Sequence, residues 1–413
     1  MNFPMKFCLI TTFFGTHSFG GDAGYVDHLS RALLRRGHEV TIIYCRDAYE
    51  VLRGDHPGRE YTPPAGLKLH ALQTRFPLLN QIWAHQTGGL GAYRQPVQHI
   101  LNQSRFDVVH FHNISLIGGL ELLALPLSSS TVKIMTAHEH WLTCPLSLLW
   151  KLNREVCQQP QCIRCTLYAK RPPQFWRSLH RVNQALAHLD GLIFPSKHAR
   201  NQHHDRGIRH PHMIHLPYFL PEEWVQQTYA ELSGEHHRPY FLLVGRMIKE
   251  KGFHTVIPVM AHFPEIELHV AGTGPALPQL KSIAAGLENV RFLGLKSYAE
   301  LIELYRHAVA LIVPSLFYET FGFVVMEAFS SKTPVIVRDR GPLPELVHQS
   351  QGGLIFRTEA ELIQAMKRLY TQDTLRHQFG KNGYQALRQL WSENTHLERY
   401  LAWIEDLCTK KVF

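Results

Sequence analysis

Residues 6–45 read KFCLITTFFGTHSFGGDAGYVDHLSRALLRRGHEVTIIYC, which predicts a strand, a glycine-containing loop, a helix and a second strand. The apolar runs Lys6–Thr11 and Val40–Tyr44 have the length and composition of strands that are covered on both faces of a sheet. Between them, Gly24–Arg36 repeats apolar residues at helical spacing and stops at Gly37, a residue that commonly caps helices. The stretch therefore predicts a βαβ unit with parallel strands.

The same alternation of strands and helices recurs along the chain. Further strands are predicted at Val108–His112, Lys133–Thr136, Gly191–Pro195, Tyr240–Val244, Glu267–Ala271, Ala310–Pro314 and Pro334–Val337, and further helices at Tyr298–His307, Phe321–Ser331 and Glu359–Tyr370. Strands that alternate with helices indicate an α/β fold, here two Rossmann-like, doubly wound parallel-sheet domains. Ligands of such sheets bind beyond the carboxyl ends of the strands. We therefore expect the two domains to face a central cleft.

A chain of 413 residues is too long for one hydrophobic core and long enough for two. A stretch without clear periodicity, bracketed by Pro217 and Pro221, marks the predicted boundary. We assign residues 1–217 to a first domain, with a cysteine-containing insert at about 144–177. Residues 218–390 form the second domain, and residues 391–413 form a final helix.

The charge balance gives a net charge of +9, with 28 additional histidines. Such a surface attracts anionic lipids, nucleic acids or anionic sugars, and the alternative is a solvated surface with no specific partner. Because the basic residues are spread along the chain without a zinc-finger or RNA-binding signature, nucleic acid is not predicted as a partner. The sequence shows neither an apolar run of about 20 residues nor a secretory signal, which predicts a cytoplasmic location.

Three segments follow predicted strands and carry ligand-binding chemistry. The loop with Gly21 lets the backbone approach an anionic ligand at a helix start, and its alternative role is a tight turn. Arg246 and Lys251 follow the strand Tyr240–Val244 and suit a diphosphate, although basic loop residues are often merely solvated. The loop with Gly21 lacks the G-x-G-x-x-G fingerprint, which weakens a nicotinamide interpretation.

The third segment, residues 319–327, reads ETFGFVVME. A helix that begins near Phe321 or Gly322 presents unpaired N–H groups and a partial positive charge to a phosphate. Glu327 lies further along this helix, where its carboxylate has two oxygens for the hydroxyls of a ribose. The alternative is a solvated helix with ordinary acidic residues.

Together these segments resemble glycosyltransferase family 4, a group of retaining enzymes with the GT-B fold. Further matching motifs, in the same order as in the family, are TAHEHW at 136–141, FPS at 194–196, AGTGP at 271–275 and VRFLG at 290–294. The ordered set covers nearly the whole chain and is more specific than any single motif.

The resemblance implies a role for each matching residue in binding the sugar donor. Arg246 and Lys251 would hold its diphosphate, Glu327 its ribose, and Glu319 the hydroxyls of the transferred sugar. In the first domain, Gly21 would approach the phosphate.

Further donor contacts follow from the same resemblance. The backbone at Phe321, Gly322 and Phe323 would face the sugar or phosphate. His138 would lie near the donor sugar and contribute to catalysis together with Glu319. Considered without the resemblance, a lone histidine after a strand is more often structural.

The resemblance also implies a reaction. The expected enzyme is a retaining hexosyltransferase that needs no metal or other cofactor for catalysis. It would move a sugar from a UDP- or GDP-sugar to a glycan or lipid-linked acceptor, in cell-envelope polysaccharide or glycolipid synthesis. The final helix would cross back to the first domain. The alternatives are a sugar-nucleotide epimerase and a non-catalytic sugar-binding protein of the same fold.

Two features lie in the insert. Cys144, Cys157, Cys162 and Cys165 predict a structural zinc site, with free buried thiols as the alternative. The arrangement of these cysteines resembles that in a subset of family 4 proteins. The segment Lys170–Arg177 combines basic and aromatic residues. It predicts contact with an anionic membrane, which would place the enzyme at the inner face, with the rim of an acceptor site as the alternative.

Overall fold

The computed structural model describes residues 4–18, 21–53, 60–225 and 238–412. Phe19 and Gly20, from the glycine loop considered above, lie outside these ranges. The chain divides into two compact units. The first comprises Met1–Leu148, Gln161–Tyr218 and His396–Phe413, and the second comprises Leu149–Pro160 and Phe219–Thr395.

The first unit is built on a seven-stranded parallel sheet. Its strands are β1 (Lys6–Thr11), β2 (Glu39–Cys45), β3 (Lys68–Leu72), β4 (Val108–Phe111), β5 (Val132–Thr136), β8 (Gly191–Phe194) and β9 (Met213–His215). They are arranged in the order β3-β2-β1-β4-β5-β8-β9. The strand order therefore reverses between β1 and β4, and this is the switch point where open α/β sheets bind ligands.

The second unit contains a six-stranded parallel sheet and a two-stranded hairpin. The sheet strands are β10 (Tyr240–Val244), β11 (Glu267–Ala271), β12 (Val290–Gly294), β13 (Ala310–Val313), β14 (Val335–Arg338) and β15 (Gly353–Phe356). Their order is β12-β11-β10-β13-β14-β15, with the switch point between β10 and β13. The hairpin pairs β6 (Trp150–Lys151) with β7 (Glu155–Val156). The predicted α/β fold with two parallel sheets is confirmed.

Helices connect the strands of both units. In the first unit they are α1 (Gly21–Arg35), α2 (Arg46–Leu52), α3 (Pro77–Thr87), α4 (Arg94–Gln103), α5 (Gly119–Leu123), α6 (Cys162–Tyr168), α7 (Leu179–Leu186) and α8 (Lys197–Asp205). In the second unit they are α9 (Glu222–Val225), α10 (Leu277–Ile283), α11 (Tyr298–His307), α12 (Phe323–Ser330), α13 (Leu343–Ser350), α14 (Glu359–Thr371) and α15 (Asp373–Leu390). The chain ends with α16 (Glu393–Val412). In the described part of the chain, none of these helices is sufficiently long and apolar to span a bilayer.

Local sequence explains where several helices begin. Ser297 and Glu300 form a reciprocal capping box at the start of α11, and Thr358 and Glu361 do the same for α14. In each box a side-chain oxygen accepts a backbone N–H that would otherwise lack a partner.

The insert is divided between the units in a way that the sequence did not predict. We assigned residues 144–177 to the first domain, whereas the structure groups Leu149–Pro160 with the second unit. Leu152 and Asn153 both have positive φ angles, of 51° and 54°, and they turn the chain into the β6–β7 hairpin. This hairpin borders a cavity together with Leu316 and Arg340 of the second unit.

The final helix was predicted at residues 391–413, and α16 spans Glu393–Val412. From His396 onward it belongs to the first unit. There His396 Nδ1 lies 2.7 Å from the carbonyl oxygen of Pro217, and Tyr400 Oη lies 2.8 Å from His110 Nδ1. These polar contacts hold the helix against the first unit.

Candidate functional site

The loops that follow β10, β13 and β14 meet at the switch point of the second sheet. Leu316 N donates to the carbonyl oxygen of Glu250 at 2.8 Å, which joins the loop after β13 to the loop after β10. Arg338, at the end of β14, donates through Nε to the carbonyl oxygen of Pro314 at 3.0 Å. Three loops that are separate in sequence therefore form one surface at the carboxyl end of the sheet.

Glycines allow these loops to approach one another closely. At Gly252, with a φ of 74°, an added Cβ would lie 2.2 Å from the carbonyl oxygen of Pro314. At Gly272 an added Cβ would lie 2.0 Å from the carbonyl oxygen of Gly245. Real Cβ atoms do not fit at such distances from backbone, so these positions require glycine for both space and conformation.

Two predicted donor-binding residues, Lys251 and Glu319, contact each other directly. Lys251 Nζ lies 2.7 Å from Glu319 Oε1, with side chains that are 23% and 15% exposed. Ser315 Oγ donates to the same carboxylate oxygen at 2.6 Å. The ammonium group also lies 5.6 Å from the centre of the Phe317 ring. The pair thus places a fixed positive and a fixed negative charge at the switch point.

Arg246, the other predicted diphosphate ligand, is exposed in the loop that follows β10. Its neighbour Gly245 has a φ of 143°. The position leaves the guanidinium accessible to a ligand at the same edge of the sheet.

The third predicted segment forms the start of α12. The helix begins at Phe323, with Gly322 as its N-terminal cap, slightly later than the predicted start at Phe321 or Gly322. Gly322 has a φ of 149°, and Phe321 is buried with 3% exposure. Val325 N donates to the carbonyl oxygen of Gly322 at 3.0 Å, and the partial positive charge at the start of the helix favours an anion there.

Glu327 lies one turn further into α12, and its Oε2 accepts a hydrogen bond of 2.8 Å from Tyr305 Oη. Burial raises the pKa of the Glu327 carboxyl, while the hydrogen bond from Tyr305 opposes that rise. The carboxyl therefore lies in an apolar environment with its orientation set by one phenol. Tyr305 was not predicted as a site residue. The only feature of the sequence that points to it is its position among the apolar residues of α11, on the face that is buried.

In the first unit, Gly21 is the first residue of α1. Near the switch point of this sheet, Thr12 N and Thr12 Oγ1 both donate to the carbonyl oxygen of Asn113, at 2.5 and 2.8 Å. Because Gly21 begins α1, it lies at a helix start, where backbone N–H groups are available to an anion.

His138 lies in a buried network of histidines and tyrosines. Its Nδ1 is 2.5 Å from Tyr218 Oη, and its Nε2 is 2.8 Å from His112 Nδ1. Burial lowers the pKa of His138 to about 3, so its imidazole is neutral at physiological pH. Both ring nitrogens have protein partners, and a contact from this ring to a ligand requires one of these hydrogen bonds to be exchanged. The sequence indicated His138 but not the network around it.

The four insert cysteines are divided between the units. Cys144, Cys162 and Cys165 belong to the first, and Cys157 belongs to the hairpin in the second. Burial raises the pKa of Cys162, the neighbouring Cys144 and Cys165 raise it further, and Arg177 opposes the rise. Among the described residues, no three His, Cys, Asp or Glu side chains are grouped as metal ligands would be. The zinc site therefore stays a prediction.

Comparison with known proteins gives two family matches that together cover most of the chain. A model described as Glycosyltransferase Family 4 matches residues 19–218, and one described as Glycosyl transferases group 1 matches residues 227–386. Among curated relatives, the lipopolysaccharide core biosynthesis glycosyltransferase of Rhizobium meliloti is 27% identical over 177 residues, which are 42% of this chain and 51% of the relative. The matched stretches span only 26% to 57% of the length of the first three such relatives.

Solved structures resemble the chain over nearly its full length. The sucrose-phosphate synthase of Thermosynechococcus elongatus has a TM-score of 0.71 at 21% identity, covering 98% of this chain and all of that one. The Anabaena HepE protein in complex with UDP-glucose has a TM-score of 0.64 at 14% identity, covering 97% and 100%. At such identities the likeness shows the fold, whereas the family models identify the group. The chain belongs to the glycosyltransferases with the GT-B fold.

Proposed function

We propose that this protein transfers a sugar from a nucleotide-sugar donor to a glycan or lipid-linked acceptor, with retention of configuration and without a catalytic metal. The observation that carries the proposal is the Lys251–Glu319 pair at the switch point of the second sheet, in the loops after β10 and β13. This arrangement combines a cation for phosphate with a carboxylate for sugar hydroxyls.

In the proposed reaction the bond between the donor sugar and its diphosphate breaks while an acceptor oxygen bonds to the same face of the sugar. The acceptor proton passes to the departing diphosphate. Lys251, Arg246 and the start of α12 stabilise the negative charge that develops on this leaving group. Glu319 holds the transferred sugar, and Glu327 holds the ribose.

The UDP-glucose complex of the HepE structure supports a UDP-sugar as the first donor to test. Thermal-shift measurements with UDP-, GDP-, ADP- and CMP-sugars are expected to show specific stabilisation, because a ligand that binds the folded state raises its stability. Calorimetry of Glu327→Gln should then show about tenfold weaker binding of the stabilising compound. The exposed Glu265→Gln, in the same unit, is the matched control. If none of the four classes binds the wild-type protein, the donor assignment is wrong.

Activity measurements separate transfer from the alternatives. A glycosyltransferase releases the nucleoside diphosphate in proportion to a new glycosidic product. An epimerase would instead convert the donor sugar without an acceptor, and a non-catalytic binding protein would leave the donor intact. NMR of the donor during incubation distinguishes these outcomes.

We also propose that an apolar and basic face of the first unit docks on anionic membranes at the cytoplasmic side. On α3 and the residue before it, Phe76, Leu78, Leu79, Ile82 and Trp83 are 50% to 63% exposed. So many large apolar side chains on one short helix are unusual for a surface in contact with water alone.

A second segment adds to the same face. Gln174 Nε2 and Trp176 Nε1 donate to the carbonyl oxygen of His85 in α3, at 3.2 and 2.9 Å, while the neighbouring Phe175 is 81% exposed. Lys170 and Arg171 in this loop are exposed basic residues. Apolar side chains flanked by cations suit the headgroup region of an anionic bilayer.

Vesicle co-sedimentation tests this docking face. The wild-type protein is expected to bind vesicles that contain phosphatidylglycerol and to bind pure phosphatidylcholine weakly. The double variant Leu79→Asp/Ile82→Asp should lose binding to the anionic vesicles, whereas Leu295→Asp, at a 75% exposed position in the other unit, should retain it. If both variants sediment equally with the anionic vesicles, this face is not the membrane-docking surface.

A further inference from the structure

The β6–β7 hairpin forms one wall of a cavity of about 500 Å³ in the second unit. Trp150, Lys151 and Arg154 of the hairpin line one side, and Leu316 and Arg340, from the loops after β13 and β14, line the other. The hairpin comes from the first half of the chain, outside all the segments that the donor site uses. The hairpin therefore adds a wall that the loops of the donor site do not provide by themselves.

The cavity carries an excess of positive charge. Lys151, Arg154 and Arg340 contribute three cations, and Glu155 contributes one carboxylate that lies 2.7 Å from Lys151 Nζ. The Nε atom of Arg340 is buried and has no hydrogen-bond partner among the residues that the structure describes. A buried donor without an acceptor costs free energy, and because Arg340 lines the cavity, an oxyanion bound there would form a charge-assisted hydrogen bond with its guanidinium group.

The cavity lies next to the residue that we propose grips the donor sugar. Leu316 lines the cavity, and Ser315 immediately before it donates to Glu319 Oε1. Gly341, immediately after Arg340, is so close that an added Cβ would lie 3.3 Å from Glu319 N. A group bound in the cavity would therefore be a near neighbour of the transferred sugar.

We propose that this cavity is an acceptor subsite for an anionic group, a phosphate or a carboxylate, carried by the acceptor saccharide. The inference rests on the proposed function, because the position of the donor sugar defines what lies beside it. Arg340 supplies a partly buried guanidinium fork, Arg154 an exposed one, and Lys151 a point charge shared with Glu155. Planar guanidinium groups are well matched to phosphate and carboxylate oxygens.

Calorimetry with three sugars tests the subsite. Glucose, glucose 6-phosphate and glucuronate are titrated into the protein with its donor site saturated by UDP, so that the anionic sugars do not occupy the diphosphate position. At least one anionic sugar is expected to bind about tenfold more tightly than glucose, in line with one charge-assisted hydrogen bond. The two anionic arms distinguish a phosphate subsite from a carboxylate subsite.

Three variants assign this preference to the cavity. Arg340→Gln and Arg154→Gln should each remove most of the preference for the anionic sugar, with UDP binding unchanged. Arg154 is exposed, so its substitution tests the subsite even if Arg340→Gln folds poorly. Arg388→Gln, at an exposed position of α15, should bind all three sugars like the wild type.

Two failures remain distinguishable. If UDP and every nucleotide sugar fail to bind the wild-type protein, the proposed function is wrong. The subsite is wrong if UDP binds but neither anionic sugar binds more tightly than glucose. It is also wrong if the preference for the anionic sugar survives in both Arg340→Gln and Arg154→Gln. In either case the donor assignment stands.

Discussion

Lys251 and Glu319 form an ion pair across the switch point of the second sheet, with Nζ 2.7 Å from Oε1. Glu319 also accepts a hydrogen bond from Ser315, so one carboxylate oxygen has two donors. Each side chain thus limits the freedom of the other before any ligand binds. The free energy of ordering them is already included in folding, which reduces the entropic cost of binding.

The substitution Lys251→Ala is expected to weaken nucleotide-sugar binding at least about tenfold, because it removes a phosphate ligand and leaves Glu319 without its counter-ion. Calorimetry measures the loss, and thermal unfolding checks that the variant folds. Lys367→Ala, at an exposed position of α14, should bind like the wild type. Unchanged affinity in Lys251→Ala would exclude this lysine from the donor site.

Gly252→Ala tests the close packing of the loops. Both Gly252 and Gly286 have positive φ angles, of 74° and 86°, but only at Gly252 does an added Cβ meet backbone. Gly286→Ala should cost about 1 kcal/mol in the free energy of unfolding, from the left-handed conformation alone. Gly252→Ala should cost about 3 kcal/mol or more, because the Pro314 carbonyl must also move. Urea unfolding compares the two, and similar losses would contradict the close approach.

The buried histidines predict that stability falls in acid. Burial lowers the pKa of His138 and His396 to about 3 and that of His203 to about 4, against about 6.5 in an unfolded chain. Below pH 6.5 the unfolded chain binds protons that the folded chain does not bind. The free energy of unfolding is therefore greatest above pH 6.5 and falls as the pH decreases from there towards 3.

Urea unfolding at pH 7.5 and 5.5 should show a loss of about 1 kcal/mol for each of these imidazoles. His203→Phe should reduce the pH dependence by about that amount, whereas His99→Gln, at an exposed position, should leave it unchanged. Equal stability of the wild-type protein at both pH values would show that these imidazoles are not held neutral.

The cysteine insert carries a prediction about metal content. If its thiolates bind structural zinc, the protein purified in air should contain about one zinc per chain by elemental analysis. Cys162→Ser should lose the metal, while Cys408→Ser, outside the insert, should retain it. A zinc-free protein in which all four insert thiols react with a thiol reagent would contradict the site.

The central strands of both sheets were predicted from sequence, and the edge strands were not. The unpredicted sheet strands are β3, β9, β12 and β15, which lie at the two ends of each sheet. A central strand such as β4 is buried at every position, whereas β12 is only partly buried and includes the exposed Arg291. The edge strands β3 and β12 are interrupted by polar residues and lack the continuous apolar runs that identify buried strands. This does not explain β15, which reads GLIF, the same sequence as the predicted strand β8.

Lys251 and Glu319 were selected from the sequence because loops after parallel strands meet at one edge of a sheet, and the structure brings their side chains together. Their roles in donor binding stay predictions. Tyr305 and the partners of His138 were missed, because their contacts join residues distant in sequence that have no shared spacing. The hairpin was missed for a different reason, since strands of two residues leave no periodic pattern.

The hairpin also affects how this protein can be recombined with its relatives. A chimaera that exchanges only residues 219–395 would receive a foreign second sheet but keep residues 149–160 from the original chain. New side chains would then stand where Leu316 and Arg340 now face Trp150 and Arg154. Exchange of the second unit as an intact module therefore requires two segments to be replaced, with four junctions in the chain, and the smaller segment must travel with the larger one.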